Sequence, residues 1–413
     1  MGLTISVLTI GDELLNGEMA DTNTAAIARL LASRGYTVHD SSSVRDVESD
    51  IVEALRFLTR QREILIVTGG LGPTADDLTS RAAATAFNRP LETNAEALAQ
   101  IHRHFARLGL AMHPRNEKQA HLPRGVDILP NANGTAPGFH LDDNGCKVFF
   151  LPGVPAEMTA MLEQSVLPAL AKHLGQGEFL HERVLKVFGL SEPKTEGRLD
   201  AIKLPEGVQV AFGVDFPFVH VKLRVSGAAA DTRLEQAERL ARQTLGDFVF
   251  ATGTDSLAAT VARQLTFAGQ TLALAESCTG GWIAKLLTDL PGASVFLERG
   301  AVTYANSAKR DWLQVTETLL EQHGAVSGEC ALAMARGIRR NADTDLGLAV
   351  TGIAGPDGGT PAKPVGTVFI ALTSETTERV HGYRFPGNRD SVRLLTACMA
   401  LDWLRRHLAA AER

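Results

Sequence analysis

Short apolar runs that end in glycine or small polar residues and hand over to a helical pattern recur along this chain, and they constrain its fold more than any other feature. LTISVLTI is followed by GDELLNG and a helix over 22–33; YTVHDSSSV is followed by a helix over 48–59; EILIVTGG is followed by GLGPTADDLT and helices across 79–108. Strands alternating with helices predict a parallel, doubly wound α/β sheet with ligands at the carboxyl ends of its strands. The pattern continues through the strand pair DILPNANGTAPGFHL and CKVFFLPG and a helix opening after Pro155, and closes near Leu174.

With 413 residues the chain exceeds one ordinary core, so two or three domains are expected. After the first domain (1–174) the composition shifts. Residues 175–252 read as a small βαββα unit: ERVLKVFGL, a helix over EPKTEGRLDAI, period-two runs VQVAFGVDF and FVHVKLRVSG, and the helix ADTRLEQAERLARQTL. The outline resembles a KH-type fold, but the GxxG loop that clamps a nucleic-acid backbone is missing, which favours a spacer or dimerisation module and a homodimer. A second α/β pattern fills 253–413, from the helix SLAATVARQLTFAG through TLALA, GAVTYA, LGLAVTG, GTVFIALTS and VHGYRF to a helix over 389–408.

Composition narrows the function. Apolar residues at 45% and charged residues at 21% are near globular averages, and the net charge of −6 argues against a general polyanion binder, so nucleic acid is not the expected partner. Cys146, Cys278, Cys330 and Cys398 form no CxxC pair, which fits neither a disulfide framework nor a zinc knuckle and suits a reducing cytoplasm. MGLTISVLTIGDELL carries no basic n-region or cleavage site and no segment reaches about 18 uninterrupted apolar residues, so a cytoplasmic protein with no membrane partner, starting near Met1, is expected.

Three loops mark a candidate site in the first domain. In VTGGLGPTADDLT, Gly69, Gly70 and Gly72 would let backbone N–H groups approach a phosphate, while Asp76 and Asp77 would repel it unless a divalent cation lay between. A glycine turn whose aspartates cap the next helix is the simpler alternative. GDELLNGEMADTN places Asp12, Glu13 and Asn23 at the end of the first strand, and LPGVP (151–155) does the same for a later one.

Four clusters occupy the last domain: AESCTGGWIA, GAVTYANSAK, GAVSGECALAMARG and TGIAGPDGGTPAKPVGTV. The first is a strand-to-helix elbow with three adjacent nucleophile-capable side chains, Ser277, Cys278 and Thr279. These clusters are similar, almost letter for letter, to the nicotinamide-nucleotide amidase domain of the CinA (competence/damage-inducible) family. GDELLNG, TGGLGPTADDLT and LPGVP look like the signature loops of molybdopterin-binding domains, in the variant found at the front of that family. The resemblance spans the whole chain. It implies a molybdopterin-binding-like domain, a KH-like module and a CinA deamidase domain. It further implies hydrolysis of nicotinamide mononucleotide (NMN) to nicotinate mononucleotide and ammonia at the C-terminal site, and metal-dependent ADP-ribose hydrolysis at the N-terminal one, with Asp77 in the active loop. A non-catalytic or regulatory protein of DNA uptake, with a degenerate nucleotide-binding domain, is the competing class.

Amide hydrolysis asks for a nucleophile, a base, an oxyanion site and a phosphate grip. Apart from His323, no histidine lies in the four clusters, and they hold no recognisable metal-ligand spacing, so a Ser–Lys device without cofactor is the economical reading. That selects Ser277, with Cys278 turned into the fold and Thr279 capping the helix or lining the pocket beside Gly280 and Gly281. Lys309 is expected in the first turn of a helix capped by Asn306 or Ser307, where the macrodipole would lower its pKa. Tyr304 could relay or donate a proton. The glycine-rich loop, with Thr351, Gly352, Gly355, Gly358, Gly359, Thr360 and Lys363, is expected to hold the phosphate together with Arg389. In the N-terminal site a divalent ion, magnesium or similar, is expected on Asp77, Asp76 and Asp12.

Overall fold

The computed structural model describes residues 4–174, 180–227 and 229–411. Its contacts divide into two compact units, residues 1–181 with 226–230, and residues 182–225 with 231–413.

The first unit is built on a six-stranded sheet in the order Val38–Val44, Ile5–Ile10, Ile64–Thr68, Cys146–Leu151, Gly138–Asp143, Asp127–Leu129. The first four strands are parallel, as the alternation of strands and helices predicts. The last two run antiparallel, a departure with a local cause. Asn144 and Gly145 both take positive φ, 49° and 89°, between the paired residues Asp143 and Cys146, and a two-residue Asn-Gly turn can join only antiparallel strands. The helices expected across 79–108 are Thr79–Ala86 and Ala95–Leu108. Asn88, at φ 52° just past the Phe87 C-cap, ends the first in the left-handed conformation, a short strand Leu91–Thr93 pairs with His121–Pro123, and Asn94 caps the second by accepting from the Ala97 N–H. Thr9 pairs with Thr68 and Thr68 with Leu151, so the loops after these three strands open on one edge of the sheet.

The second unit holds a four-stranded and a five-stranded sheet. The four-stranded one runs Gln209–Asp215, Phe218–Ser226, Leu180–Val187, Val249–Thr252. It realises the βαββα unit and adds the last strand, Val249–Thr252, which the sequence reading omits. Phe188, Phe250 and Ala251 are buried in one cluster with Leu272, Leu274, Val350 and Leu401, so the small module shares a core with the C-terminal α/β domain.

The five-stranded sheet runs Leu297–Val302, Leu272–Glu276, Leu346–Gly352, Thr367–Thr373, Glu378–Arg384, the first three parallel and the last two antiparallel. Period-two alternation sends Leu272 and Leu274 into a core under the helices Leu257–Ala268 and Arg389–Ala411, while Ala273 and Ala275 face the helix Gly328–Ala342. Ser277 follows the Leu272–Glu276 strand, the middle one of the three parallel strands, at the carboxyl end of the parallel ladder.

Candidate active site

The Leu272–Glu276 strand ends in an elbow that Glu276 closes. Its carboxylate is 1% exposed and accepts three backbone N–H groups of the following helix start, from Gly281 at 3.0 Å, Ile283 at 3.1 Å and Ala284 at 2.8 Å. Gly281, at φ 93°, is the N-cap of the helix Trp282–Thr288, a left-handed conformation that glycine adopts without strain. Glu276, which the sequence reading passes over, is therefore the cap in place of Thr279. Thr279 is fully buried with its hydroxyl unpartnered, and its carbonyl accepts from Arg393 at 2.8 Å and 3.2 Å while that guanidinium lies 5.0 Å from the Trp282 ring centroid. Because Glu276 takes the first-turn N–H groups, this helix start is not available to an anionic ligand.

Ser277 and Lys309 meet beneath the elbow. Lys309 is 1% exposed, and its Nζ lies 3.2 Å from Ser277 Oγ, 2.8 Å from the Thr303 carbonyl and 3.1 Å from the Tyr304 carbonyl. No carboxylate among the described residues is recorded in ion-pair contact with it. Burial without a counter-charge lowers the ammonium pKa from its ordinary value, since water no longer stabilises the charged form. The sequence reading assigns this lowering to the helix dipole and the cap to Asn306 or Ser307; both are corrected. The helix runs Asn306–Leu313 with Ala305 as its cap, and desolvation is the leading cause of the shift. In the neutral amine the two carbonyls take both N–H groups, which leaves the lone pair for the Ser277 hydroxyl to donate to.

Cys278 is 4% exposed within the apolar core, and burial pushes its thiol up to about 12, so it is held as an inert thiol. Tyr304 contributes its carbonyl to Lys309, but its phenol points elsewhere: 59% exposed, it accepts from Arg389 Nη2 at 3.0 Å. Arg389 Nη1 in turn donates to the Gly355 carbonyl at 2.7 Å. One network thus joins the Tyr304 segment, the glycine-rich loop and the start of the last helix.

Within that loop Gly355 and Gly358 take positive φ, 82° and 87°, and a Cβ on Gly352 or Gly359 would lie 2.7 Å or 2.8 Å from backbone atoms of Thr367 or Val365. Thr351 is buried with its hydroxyl donating to the Ala325 carbonyl at 2.8 Å, so that hydroxyl belongs to the fold. Lys363 Nζ donates to the His323 carbonyl at 2.9 Å, and the Thr360 hydroxyl accepts from the Lys363 N–H at 3.0 Å. Asn306 opens its helix exposed to solvent.

In the first unit the glycine-rich loop is tightly folded. A Cβ on Gly69 would fall 2.1 Å from the Ile10 carbonyl oxygen, and one on Gly72 would fall 2.5 Å from the Asp77 carboxylate. The Thr74 hydroxyl lies 2.5 Å from Asp76 and 2.6 Å from Asp77, one proton for two carboxylates. Hydrogen bonding from Thr74 holds the Asp76 carboxyl below its ordinary range. Asp77 borders a cavity of about 200 Å³ with Gly70, Gly72, Arg81, Lys118 and His121. Asp12 opens the short helix Asp12–Leu15, where its N–H and carboxylate exchange hydrogen bonds with Asp46 at 2.9 Å and 3.2 Å. Burial first, then the charges of Asp12, Glu13 and Asp76, push the Asp46 carboxyl up. Asn23 ties two strand ends together by donating to Thr68 and to the Gly153 carbonyl, and its own carbonyl oxygen is buried without a partner beside Glu13. All these donors are hard oxygens, the chemistry a magnesium-like ion requires, although among the described residues no three His, Cys, Asp or Glu side chains converge as a ready ligand set.

These two sites define an α/β protein that joins a molybdopterin-binding-like domain to a CinA-type domain. Residues 6–172 match the family described as "Probable molybdopterin binding domain", and residues 254–408 match "CinA C-terminal domain". A CinA-like protein of Syntrophotalea carbinolica is 61% identical over 408 residues, 99% of each chain, and one of Geotalea uraniireducens is 47% identical over 98% of each. The chain belongs to the CinA-like family. A solved CinA superfamily protein of Klebsiella pneumoniae aligns with 37% of this chain and 96% of its own at 37% identity, with a TM-score of 0.37. No helix among the described residues is long and apolar enough to cross a membrane.

Proposed function

We propose that the C-terminal domain hydrolyses the carboxamide of NMN to nicotinate mononucleotide and ammonia, with Ser277 as nucleophile and Lys309 as its base. The observation that carries this reading is the buried contact of Lys309 Nζ with Ser277 Oγ, beside two carbonyls that would take the N–H groups of a neutral amine and leave its lone pair for the hydroxyl. Ser277 Oγ attacks the carboxamide carbon as its proton passes to Lys309. The resulting ammonium returns that proton to the leaving amide nitrogen and ammonia departs; water then attacks the acyl-serine ester with the again-neutral Lys309 taking its proton, and that proton passes to Ser277 Oγ as the ester bond breaks and nicotinate mononucleotide leaves. Arg389, which has no carboxylate partner among the described residues, stands with the Gly352–Gly359 loop as the anchor for the nucleotide's phosphate.

The N-terminal domain is proposed to cleave ADP-ribose to AMP and ribose 5-phosphate. Asp76, Asp77 and Asp12 would hold a divalent cation, which neutralises pyrophosphate charge and polarises the scissile phosphorus–oxygen bond when bound. Lys118 and Arg81, beside Asp77, would bind phosphate oxygens directly. Both reactions would place the chain in cytoplasmic pyridine-nucleotide salvage. The test is to incubate the purified protein with NMN and with ADP-ribose, each with and without a chelator. Ammonia release from NMN in both conditions, and AMP release from ADP-ribose only without chelator, support the assignment; no ammonia from NMN in either condition refutes the amidase.

A further inference from the structure

The edge of the five-stranded sheet breaks the pattern of its interior. On the face covered by the Arg389–Ala411 helix the neighbouring strand presents Val368, Ile370 and Leu372, all buried. Ile370 pairs with His381 and Leu372 with Arg379, so the same face of the Glu378–Arg384 strand presents Arg379, His381 and Tyr383. Opposite them the helix offers Trp403 and, one turn on, Arg406, and the small module closes the far side with Phe248. The cavity between them is about 720 Å³, within the usual range of small-molecule sites.

Its walls are planar and cationic. The Arg379 guanidinium sits 5.4 Å from the Trp403 ring centroid and that of Arg406 5.5 Å from the Phe248 ring centroid. Trp403 Nε1 donates to the Tyr383 hydroxyl at 2.7 Å, which fixes the two rings edge to face at 69°, and Tyr383 is itself stacked on Phe385, so the planar surface that lines the cavity is the Arg379–Trp403 pair. The two carboxylates at the rim already have partners. Glu378 takes a two-pronged hydrogen bond from Arg336, and Asp402 accepts from Arg405 and Arg406. No carboxylate among the described residues is recorded in ion-pair contact with Arg379. Three strand spacings, on the order of 14 Å, separate this strand from the one that ends at Ser277.

We propose that this cavity is a second ligand site in the C-terminal unit, for a nucleoside monophosphate whose base packs against Trp403 and whose phosphate is held by Arg379. An unpaired guanidinium beside aromatic faces matches a ligand that is anionic at one end and planar at the other. A ligand here touches both Phe248 of the small module and the sheet edge, so occupancy would stiffen their joint.

AMP is the probe. Calorimetric titration of the full chain and of Arg379→Gln is paired with fluorescence titration in a Trp282→Phe/Trp312→Phe background, in which Trp403 is the remaining tryptophan. Adenosine and inorganic phosphate serve as half-ligand controls. Saturable quenching of Trp403 by AMP, weaker with either half, and an affinity loss of at least about tenfold in Arg379→Gln support the site. Absence of Trp403 quenching overturns it, as does AMP binding indifferent to Arg379→Gln, which would put the ligand at another site. Concentration-dependent self-association abolished by Arg379→Gln, without quenching, would assign the edge to a second copy of the chain and also overturn it.

Discussion

Glu276→Gln should loosen the elbow without removing any group proposed to react. The carboxylate oxygens divide three N–H donors, Oε2 taking Gly281 and Ile283 and Oε1 taking Ala284. Glutamine retains one oxygen, which keeps the Gly281 and Ile283 bonds only by turning its NH2 toward the Ala284 N–H. One bond is lost, a buried donor is orphaned, and the other two fall from charge-assisted to neutral strength. A charge-assisted bond contributes about 1.5–3 kcal/mol against about 1 kcal/mol for a neutral one, so the gross loss is about 4–5 kcal/mol. Relief of a buried carboxylate's desolvation offsets part of this, leaving ~3 kcal/mol. Amide hydrogen exchange reads the effect locally: backbone amides over 281–284 should exchange about 100-fold faster, the factor that ~3 kcal/mol implies, while those of the first unit stay unchanged. The kcat for NMN should fall with the same variant, because the elbow sets where Ser277 Oγ stands. Exchange over 281–284 within about threefold of the parent would refute the capping role, since a local loss of even ~1 kcal/mol exceeds that factor.

Deamidation should rise with pH through a pKa below the roughly 10.4 of free lysine, because burial disfavours the ammonium and the neutral amine is the working form; a kcat/KM profile with no rise anywhere below that pKa would count against Lys309 as base, and Lys309→Arg, always protonated, should not rescue activity. Chelator should abolish ADP-ribose cleavage and spare NMN hydrolysis, and equal loss of both, measured in one preparation, would contradict separate sites. A fragment beginning near Gly253 should deamidate NMN unaided, yet melt at lower temperature than one beginning near Glu182. It lacks Phe188 and Phe250, each contributing about 2–3 kcal/mol by burial, and equal melting temperatures by calorimetry would deny the shared core.

The resemblance, the fold class and the placement of the site at strand ends are legible in the sequence because they depend on local signals: buried runs, glycine-rich turns and helix periods. Ser277 and Lys309 stand out in the sequence as a candidate pair because the clusters offer no histidine apart from His323, and the structure brings the two side chains into contact. The features that escape the sequence depend on tertiary environment. Sequence position alone suggests the macrodipole as the influence on Lys309, whereas the shift comes from the walls that exclude water around it. Glu276 reads as the polar end of a strand, and only the fold shows that the chain doubles back to bring three N–H groups to it. An acidic residue five positions before a glycine N-cap is the signal that could have found it. Arg393 sits one turn after Arg389 on the same helix, a spacing visible in the sequence, but its acceptor, the Thr279 carbonyl, is 114 residues away. The Asn-Gly turn at 144–145 is readable and sufficient to make the sheet edge antiparallel; the expectation of a uniformly wound sheet overlooks it.

Ser277 as the nucleophile and Lys309 as the base that activates it are the central claim, and steady-state turnover of NMN by Ser277→Ala, Lys309→Ala, the double variant and Cys278→Ala tests both together. Each of the first two should lose nearly all turnover, the double variant should be hardly worse than either, as groups acting as one unit are non-additive, and Cys278→Ala should remain close to the parent. An active Ser277→Ala beside an inactive, folded Cys278→Ala would contradict the claim and make the enzyme a thiol amidase.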